Sequence, residues 1–170
     1  MRRYVFGVLT GVLLLPVGGL VVGWMGLLEM RAKVPAPRWE SALAGVARDA
    51  SVARRAPRVK NPVAASEENL MAGLKIYKDA CAGCHGNPAA ESDYGVSFYP
   101  PVPQFAEHPP RKPDWQLYWI VKNGVRYSGM SAWDGQWQPG TSEDHIWKVV
   151  AFLSRLDSLP PTVEAEWRKP

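Results

Sequence analysis

Cysteine is scarce in this chain, since only two of its 170 residues are cysteines and both lie in one short segment, at Cys81 and Cys84. A disulfide-stabilised secreted scaffold needs more cysteines at wider spacing, and that class of protein is excluded. Three uses are left for such a pair: a redox-active dithiol, a set of metal ligands, or the attachment point of a cofactor.

Positive charge is also scarce in the part of the chain where a nucleic-acid-binding domain would need it. Residues 1–34 carry a net charge of +3 and residues 35–66 one of +4, whereas residues 67–170 carry −3. Nucleic-acid recognition requires a basic folded face, so we expect no nucleic-acid partner. A basic segment beside a membrane instead favours attraction to anionic lipid head groups.

Long apolar runs are confined to the first thirty residues. The stretch from Tyr4 to Leu28 has 25 uncharged residues, which is enough to span roughly 30 Å of hydrocarbon. Glu29-Met30-Arg31 follows it, where a cleaved signal peptide would have a small-residue cleavage site. We interpret residues 1–30 as a transmembrane anchor or signal-anchor, with a cleaved signal peptide as the alternative.

Residues 31–66 are rich in proline, alanine and arginine, with prolines at 35, 37, 57 and 62. Between the prolines, Leu43, Val46, Ala47 and Ala50 recur at helical spacing. We predict a mostly solvated, partly helical tether, which as a flexible coil would span on the order of 30 Å. The alternative is a short helix lying on the membrane surface.

The two cysteines belong to the segment Cys81-Ala82-Gly83-Cys84-His85, the C-x-x-C-H pattern of covalent haem attachment. Two intervening residues place both sulfurs along one turn, near the two vinyl groups of a porphyrin, and the histidine can then reach the iron. A thioredoxin-like motif needs a βαβ context, and a zinc site would lack a second C-x-x-C. The pattern predicts one covalent haem c, held by Cys81 and Cys84, with His85 as an axial iron ligand.

Two further segments carry a family resemblance. Asn69–Tyr77 precedes the haem motif, and Gly124–Trp133 ends in the letters G-M-S-A-W. With the C-x-x-C-H motif, they make the stretch from Asn69 to Trp167 resemble a class I cytochrome c domain. In the family that these segments resemble, a small residue at the position of Gly73 lets the helix at Asn69–Tyr77 cross the last helix. The resemblance implies an all-α fold for residues 67–170, a small bundle of about four helices and loops wrapped round one haem. A single N-terminal transmembrane helix would precede it.

The resemblance also implies the remaining site residues. Met130 lies in the segment that resembles the family's sixth-ligand loop, which makes it the second axial ligand, with His108 as the rival. Pro103-Gln104-Phe105 resembles a P-x-L segment whose proline carbonyl accepts a hydrogen bond from the proximal histidine, with Phe105 in place of leucine. Three side chains are candidates for contacts with the haem or its propionates, although ordinary packing or exposure fits them equally well: Arg126, Tyr127 and Trp133.

Two helices are predicted after the haem motif. The first runs from Asp114, as N-cap, to Asn123, with Gly124 after its end. The second helix begins near Thr141 or Ser142. Its apolar residues recur at helical spacing: Ile146, Val149, Val150 and Leu153. This pattern ends at Pro160-Pro161.

An iron with both axial positions filled has no open site for a substrate. We therefore expect an electron carrier and not an enzyme, exchanging single electrons with donor and acceptor proteins. Because bacterial c-type haem attachment occurs outside the cytoplasmic membrane, the haem domain is expected on the periplasmic side. The alternatives are a haem-containing subunit of a larger dehydrogenase or oxidase complex, and a small peroxidase-like haem enzyme if Met130 is not a ligand.

Overall fold

The computed structural model of the protein describes residues 1–135 and 142–169. The chain divides into two compact units, Met1–Val34 and Pro35–Pro170. The first unit contains helix α1 (Arg2–Trp24), whose 23 residues have a mean hydropathy of 2.4 over their most apolar window. Among the described helices, α1 is the one long and apolar enough to cross a membrane, and it fits a single-pass anchor.

The second unit is helical, and the described residues form no β-strand, which confirms the predicted all-α class. Its elements follow in chain order: α2 (Arg38–Arg55), α3 (Glu67–Ala80), α4 (Ala82–His85), a 3-10 turn (Gly95–Ser97), α5 (Asp114–Asn123), α6 (Glu143–Leu153) and α7 (Pro161–Trp167).

Helices α3 and α6 cross at the centre of this unit. A Cβ atom at Gly73 would overlap the backbone carbonyl of Lys148, so only glycine allows the two helices to approach this closely. One turn later, Tyr77 is fully buried, with its ring centroid 5.6 Å from that of Phe152. The Tyr77 hydroxyl donates a hydrogen bond of 2.7 Å to the carbonyl of Gly86. The helix crossing therefore fixes the position of the segment that carries the cysteines.

The predicted helices after the haem motif are present, with one different cap. The N-cap of α5 is Pro113, so Asp114 is the first helical residue, where its charge faces the positive end of the helix. The helix stops at Gly124, whose φ is +67°. The side chain of Ser142 accepts a hydrogen bond from the backbone N–H of His145 and begins α6. The alternative start at Thr141 lies outside the described residues.

Helix α7 was not predicted. Pro160-Pro161 ends the pattern of α6 as expected, but Pro161 also opens a new helix, where a proline needs no N–H partner. The short helix buries Val163 and Trp167. The Trp167 ring meets that of Tyr77 edge to face at 5.2 Å between centroids, so α7 closes the core behind α3.

Helix α2 lies in the segment expected to be a partly helical tether, and from Pro35 onward the chain belongs to the same compact unit as the cysteine motif. The reason is burial at its C-terminal end, where Val52 and Ala56 are 2% and 6% exposed. Asp49 pairs with Lys112 at 2.9 Å. The Asn61 side chain donates to the Trp147 carbonyl at 3.2 Å, which continues the contact beyond the helix.

Candidate haem-binding site

A single helical turn carries the two cysteines and the histidine. Cys81 is both the C-cap of α3 and the N-cap of α4. The backbone N–H groups of Cys84 and His85 donate to the Cys81 carbonyl at 3.0 and 2.8 Å. Both cysteines are half-buried and form no disulfide. The turn therefore holds two thiols and an imidazole within five consecutive residues.

The protonation of the His85 ring follows from its partner. Its Nδ1 lies 2.9 Å from the Pro103 carbonyl oxygen. Since a carbonyl only accepts, Nδ1 carries the proton and the lone pair of Nε2 is free for a metal. Burial lowers the pKa of His85, while the hydrogen bond to Pro103 opposes that shift. The geometry holds this imidazole neutral and in one tautomer.

Phe105 restrains the same imidazole on one face. The two rings are stacked, with centroids 4.1 Å apart and planes 9° from parallel. The backbone N–H of Phe105 also donates to the His85 carbonyl at 3.1 Å. The residue that departs from the P-x-L pattern therefore supplies a flat ring where leucine would supply branched methyl groups.

Two polar side chains that the sequence analysis missed fasten the loop after the cysteine turn. Gln104 donates from Nε2 to the Cys84 carbonyl at 3.2 Å, and its Oε1 accepts from the Ser92 N–H at 2.9 Å. The Ser92 hydroxyl in turn donates to the Gly83 carbonyl. Their only sequence signal was the position of Gln104 between Pro103 and Phe105, since isolated polar loop residues follow no periodicity.

The environment of Cys81 bears on the alternatives to haem attachment. Burial, with a smaller contribution from neighbouring Cys84, raises the pKa of the Cys81 thiol to about 12. Redox-active and zinc-binding cysteines work as thiolates and have lowered pKa values. Within the described residues, no group of three or more His, Cys, Asp or Glu side chains is arranged to hold a metal ion.

The segment around Met130 is a closed loop. The Val125 N–H donates to the Met130 carbonyl at 3.0 Å, and the Met130 N–H donates to the Ser128 hydroxyl at 3.2 Å. A Cβ atom at Gly124 would lie 2.6 Å from the Met130 carbonyl oxygen. At the far end, the Trp133 N–H donates to the Val121 carbonyl at 3.1 Å. The loop is therefore anchored to the end of α5 on both sides of Met130.

The Met130 loop also meets the segment that follows the cysteine turn. A Cβ atom at Gly129 would lie 2.8 Å from the Phe98 ring, and one at Gly95 would overlap the Cys84 carbonyl. Phe98 and Gly95 belong to the same short segment, so it contacts both candidate ligand regions. Four of the predicted site residues or their neighbours pack, partly buried, against the one core cluster: Cys81, Phe105, Met130 and Trp133.

Other candidates lie farther out. Arg126 and Tyr127 are exposed, and Tyr127 is 91% exposed with a φ of +59°. Among the described residues, neither forms a hydrogen bond or ion pair with another side chain. Their contact with a propionate stays a prediction. His108 is exposed in its loop, and His145 serves in the capping box of α6.

The chemistry of these donors fits haem c: two thiols on one turn, a neutral imidazole with a free Nε2, and a thioether on a fastened loop. The fold and the site define a c-type cytochrome. The family model described as cytochrome c oxidase, cbb3-type, subunit III matches residues 68–153, half of the chain, and the chain belongs to this family. No curated protein matches the chain. Family membership supports covalently bound haem c and haem-based electron transfer.

Proposed function

We propose that this protein is a membrane-anchored carrier of single electrons, with one haem attached to Cys81 and Cys84 and ligated by His85 and Met130. The observation that carries the proposal is the His85 imidazole, which is neutral and held through Nδ1 by the Pro103 carbonyl, 2.9 Å away. It directly follows the turn that bears both thiols.

When bound, the haem supplies a one-electron iron couple, and the side chains around it set its properties. His85 and Met130 would ligate its iron and leave no position open to exogenous ligands. Phe105 covers one face of the imidazole. A thioether in place of a second imidazole favours the ferrous state. These roles suit outer-sphere electron transfer and not turnover of a substrate.

The proposed anchor is α1, whose 23 residues give a helix about 35 Å long. Covalent haem attachment in bacteria takes place outside the cytoplasmic membrane, which favours a haem domain on the periplasmic side. The partners would be redox proteins in or beside that membrane. The full-length protein should stay in membranes until detergent is added.

A second candidate function is a fixed electron-transferring subunit of a larger oxidoreductase complex. It is favoured by the family description, which names subunit III of a cbb3-type cytochrome oxidase. Crosslinking in native membranes separates the two candidates. A stoichiometric complex that survives purification favours the subunit, and transient crosslinks to more than one redox protein favour the free carrier.

The haem assignment is tested by haem staining after denaturing electrophoresis. The double variant Cys81→Ala/Cys84→Ala should lose the stain, because nothing covalent then holds the cofactor. Met130→Ala keeps both thiols and is the matched control, which should keep the stain. Persistent staining of the double variant would refute the attachment.

The wild-type protein should also resist carbon monoxide binding when its iron is reduced. Ready binding of carbon monoxide would favour the peroxidase-like alternative.

A further inference from the structure

Helix α2 carries an apolar stripe that the Pro35–Pro170 unit does not cover. Trp39, Leu43 and Val46 are 68%, 64% and 68% exposed. Their spacing of four and three residues places them on one face of the helix. Val52, which is 2% exposed and six residues after Val46, lies on a different face. The three exposed side chains are called the α2 stripe below.

The charged side chains of α2 also fall into two groups: those with partners within the unit and those without an ion pair to any described residue. Both of its acidic side chains have partners within the unit: Asp49 pairs with Lys112 at 2.9 Å, and Glu40 accepts from the Tyr99 hydroxyl at 3.1 Å. Among the described residues, by contrast, Arg38, Arg54 and Arg55 form no ion pair. The charge that α2 offers to an outside partner is therefore positive.

The connection to α1 limits how far α2 can be from a membrane. Thirteen residues separate Trp24, the end of α1, from Arg38, the start of α2. Fully extended, they reach at most about 45 Å. Arg31 pairs with Glu29 at 2.6 Å within this connection, and Lys33 adds one positive charge near the bilayer.

We propose that the α2 stripe lies in the head-group region of an anionic lipid bilayer, with Arg38, Arg54 and Arg55 beside lipid phosphates. A helix with Trp and Leu on one face and Arg beside it is typical of an interfacial membrane helix. Each basic side chain near an anionic surface adds attraction. The inference rests on the proposed anchoring by α1.

A membrane-bound α2 would restrict which partners can exchange electrons with the protein. Since α2 packs against α5 and Asp49 pairs with Lys112, which precedes α5, a membrane-bound α2 would hold the haem-binding unit at the bilayer surface. Electron exchange would then favour partners embedded in the same membrane over freely diffusing ones.

The test uses spin labels on the full-length, haem-loaded protein in vesicles of anionic and zwitterionic lipid. Cys81 and Cys84 are consumed by thioether bonds, so a single new cysteine takes the label. Leu43→Cys reports on the stripe, Ala44→Cys is the matched exposed control on another face, and Leu14→Cys reports on α1. Collision with oxygen indicates lipid, and collision with a water-soluble nickel complex indicates water.

The label at position 43 should show collisions shifted toward oxygen relative to the label at position 44. Arg54→Glu/Arg55→Glu should diminish that shift in anionic vesicles. Equal collision ratios at 43 and 44, with position 14 in lipid, would overturn the α2 proposal alone. A label at position 14 in water would overturn the anchor and the α2 proposal together. The label at position 43 could instead show dipolar broadening that disappears when unlabelled protein is added. That result would mean that the stripe contacts a second copy of the chain, and it would overturn the lipid assignment.

Discussion

The imidazole of His85 and the phenyl ring of Phe105 lie face to face, 4.1 Å apart between centroids and 9° from parallel. The Pro103 carbonyl holds the Nδ1 edge of the same imidazole at 2.9 Å. A hydrogen bond alone leaves a ring some freedom to rock about its own axis. The flat neighbour removes that freedom, so two independent restraints set the plane of the proposed iron ligand.

Replacement of Phe105 by leucine should therefore loosen the His85 plane without releasing the haem. We expect altered anisotropy of the ferric electron paramagnetic resonance signal and broader lines, because the imidazole samples more orientations. The Phe105→Tyr variant keeps a flat ring and should retain the wild-type signal. Both variants should keep covalent haem. If the leucine and tyrosine variants gave the same spectrum as the wild type, Phe105 would be ordinary packing.

Replacing glycine by alanine should have opposite effects on stability at Gly73, where α3 crosses α6, and at Gly45 in α2. Gly73→Ala places a Cβ against the Lys148 carbonyl, and we expect a loss of about 1–3 kcal/mol in the free energy of unfolding. In α2, a Cβ at Gly45 meets nothing within 4 Å, so Gly45→Ala should stabilise by about 0.5–1 kcal/mol. Denaturant unfolding of the haem-loaded variants measures both. A neutral Gly73→Ala would mean that the helices can separate at little cost.

Asp49 provides a pH-dependent test of the ion pairs that it forms with Arg48 and Lys112. A hydrogen bond from Arg48, and then the weaker influence of Lys112, lowers the pKa of this carboxyl to about 2 against the opposing effect of partial burial. Because the folded pKa is depressed, the contribution to stability is full above the ordinary value of 3.8 and is lost as the pH falls toward about 2. The side chain is 48% exposed, so solvent keeps the effect small.

The measurement is the difference in unfolding free energy between the wild type and Asp49→Asn as a function of pH. The wild type should be slightly more stable at pH values above about 4, with the difference vanishing toward pH 2. Ser41→Ala, on the same helix and outside the ion pair, is the control. A difference that stayed constant across this range would show that the carboxylate charge contributes nothing.

Features of the fold and the site could be predicted from the sequence where their causes lie within a short stretch of the chain. The C-x-x-C-H spacing reflects a short-range requirement and Gly73 a steric one, and both can be recognised in the amino-acid sequence. Gln104 and Ser92 act through hydrogen bonds to the Cys84 and Gly83 carbonyls that depend on how a loop folds back. No periodicity marks such residues.

Helices α7 and α2 illustrate the same limit. A Pro-Pro pair is typical of a helix end, and only the burial of Trp167 against Tyr77 shows why a new helix starts at Pro161. In α2 the alanine- and arginine-rich composition predicted a mostly solvated, partly helical linker. It carries no signal for the few tertiary contacts, at Val52 and Asp49, by which the helix joins the unit.

Met130 is the remaining proposed ligand, and its replacement gives the sharpest test of the axial pair. A low-spin iron bound by His85 and Met130 should show the weak long-wavelength sulfur-to-iron band in its ferric state. Met130→Ala should abolish the band and allow carbon monoxide to bind the ferrous iron, because the sulfur ligand is gone. It should also lower the reduction potential, because a soft thioether stabilises the ferrous state. The fold should survive, since covalent haem remains and the loop is fastened through Val125 and Ser128.

His108→Ala is the matched control for the axial pair. This histidine is exposed, and its described hydrogen bond runs from the backbone N–H to the Gln104 carbonyl at 2.9 Å. Removing its side chain should leave the absorption spectrum and the potential unchanged. If His108→Ala altered the spectrum and Met130→Ala did not, the iron would be ligated by two histidines. The loop around Met130, closed by its own hydrogen bonds and in contact with Phe98 through Gly129, favours the thioether.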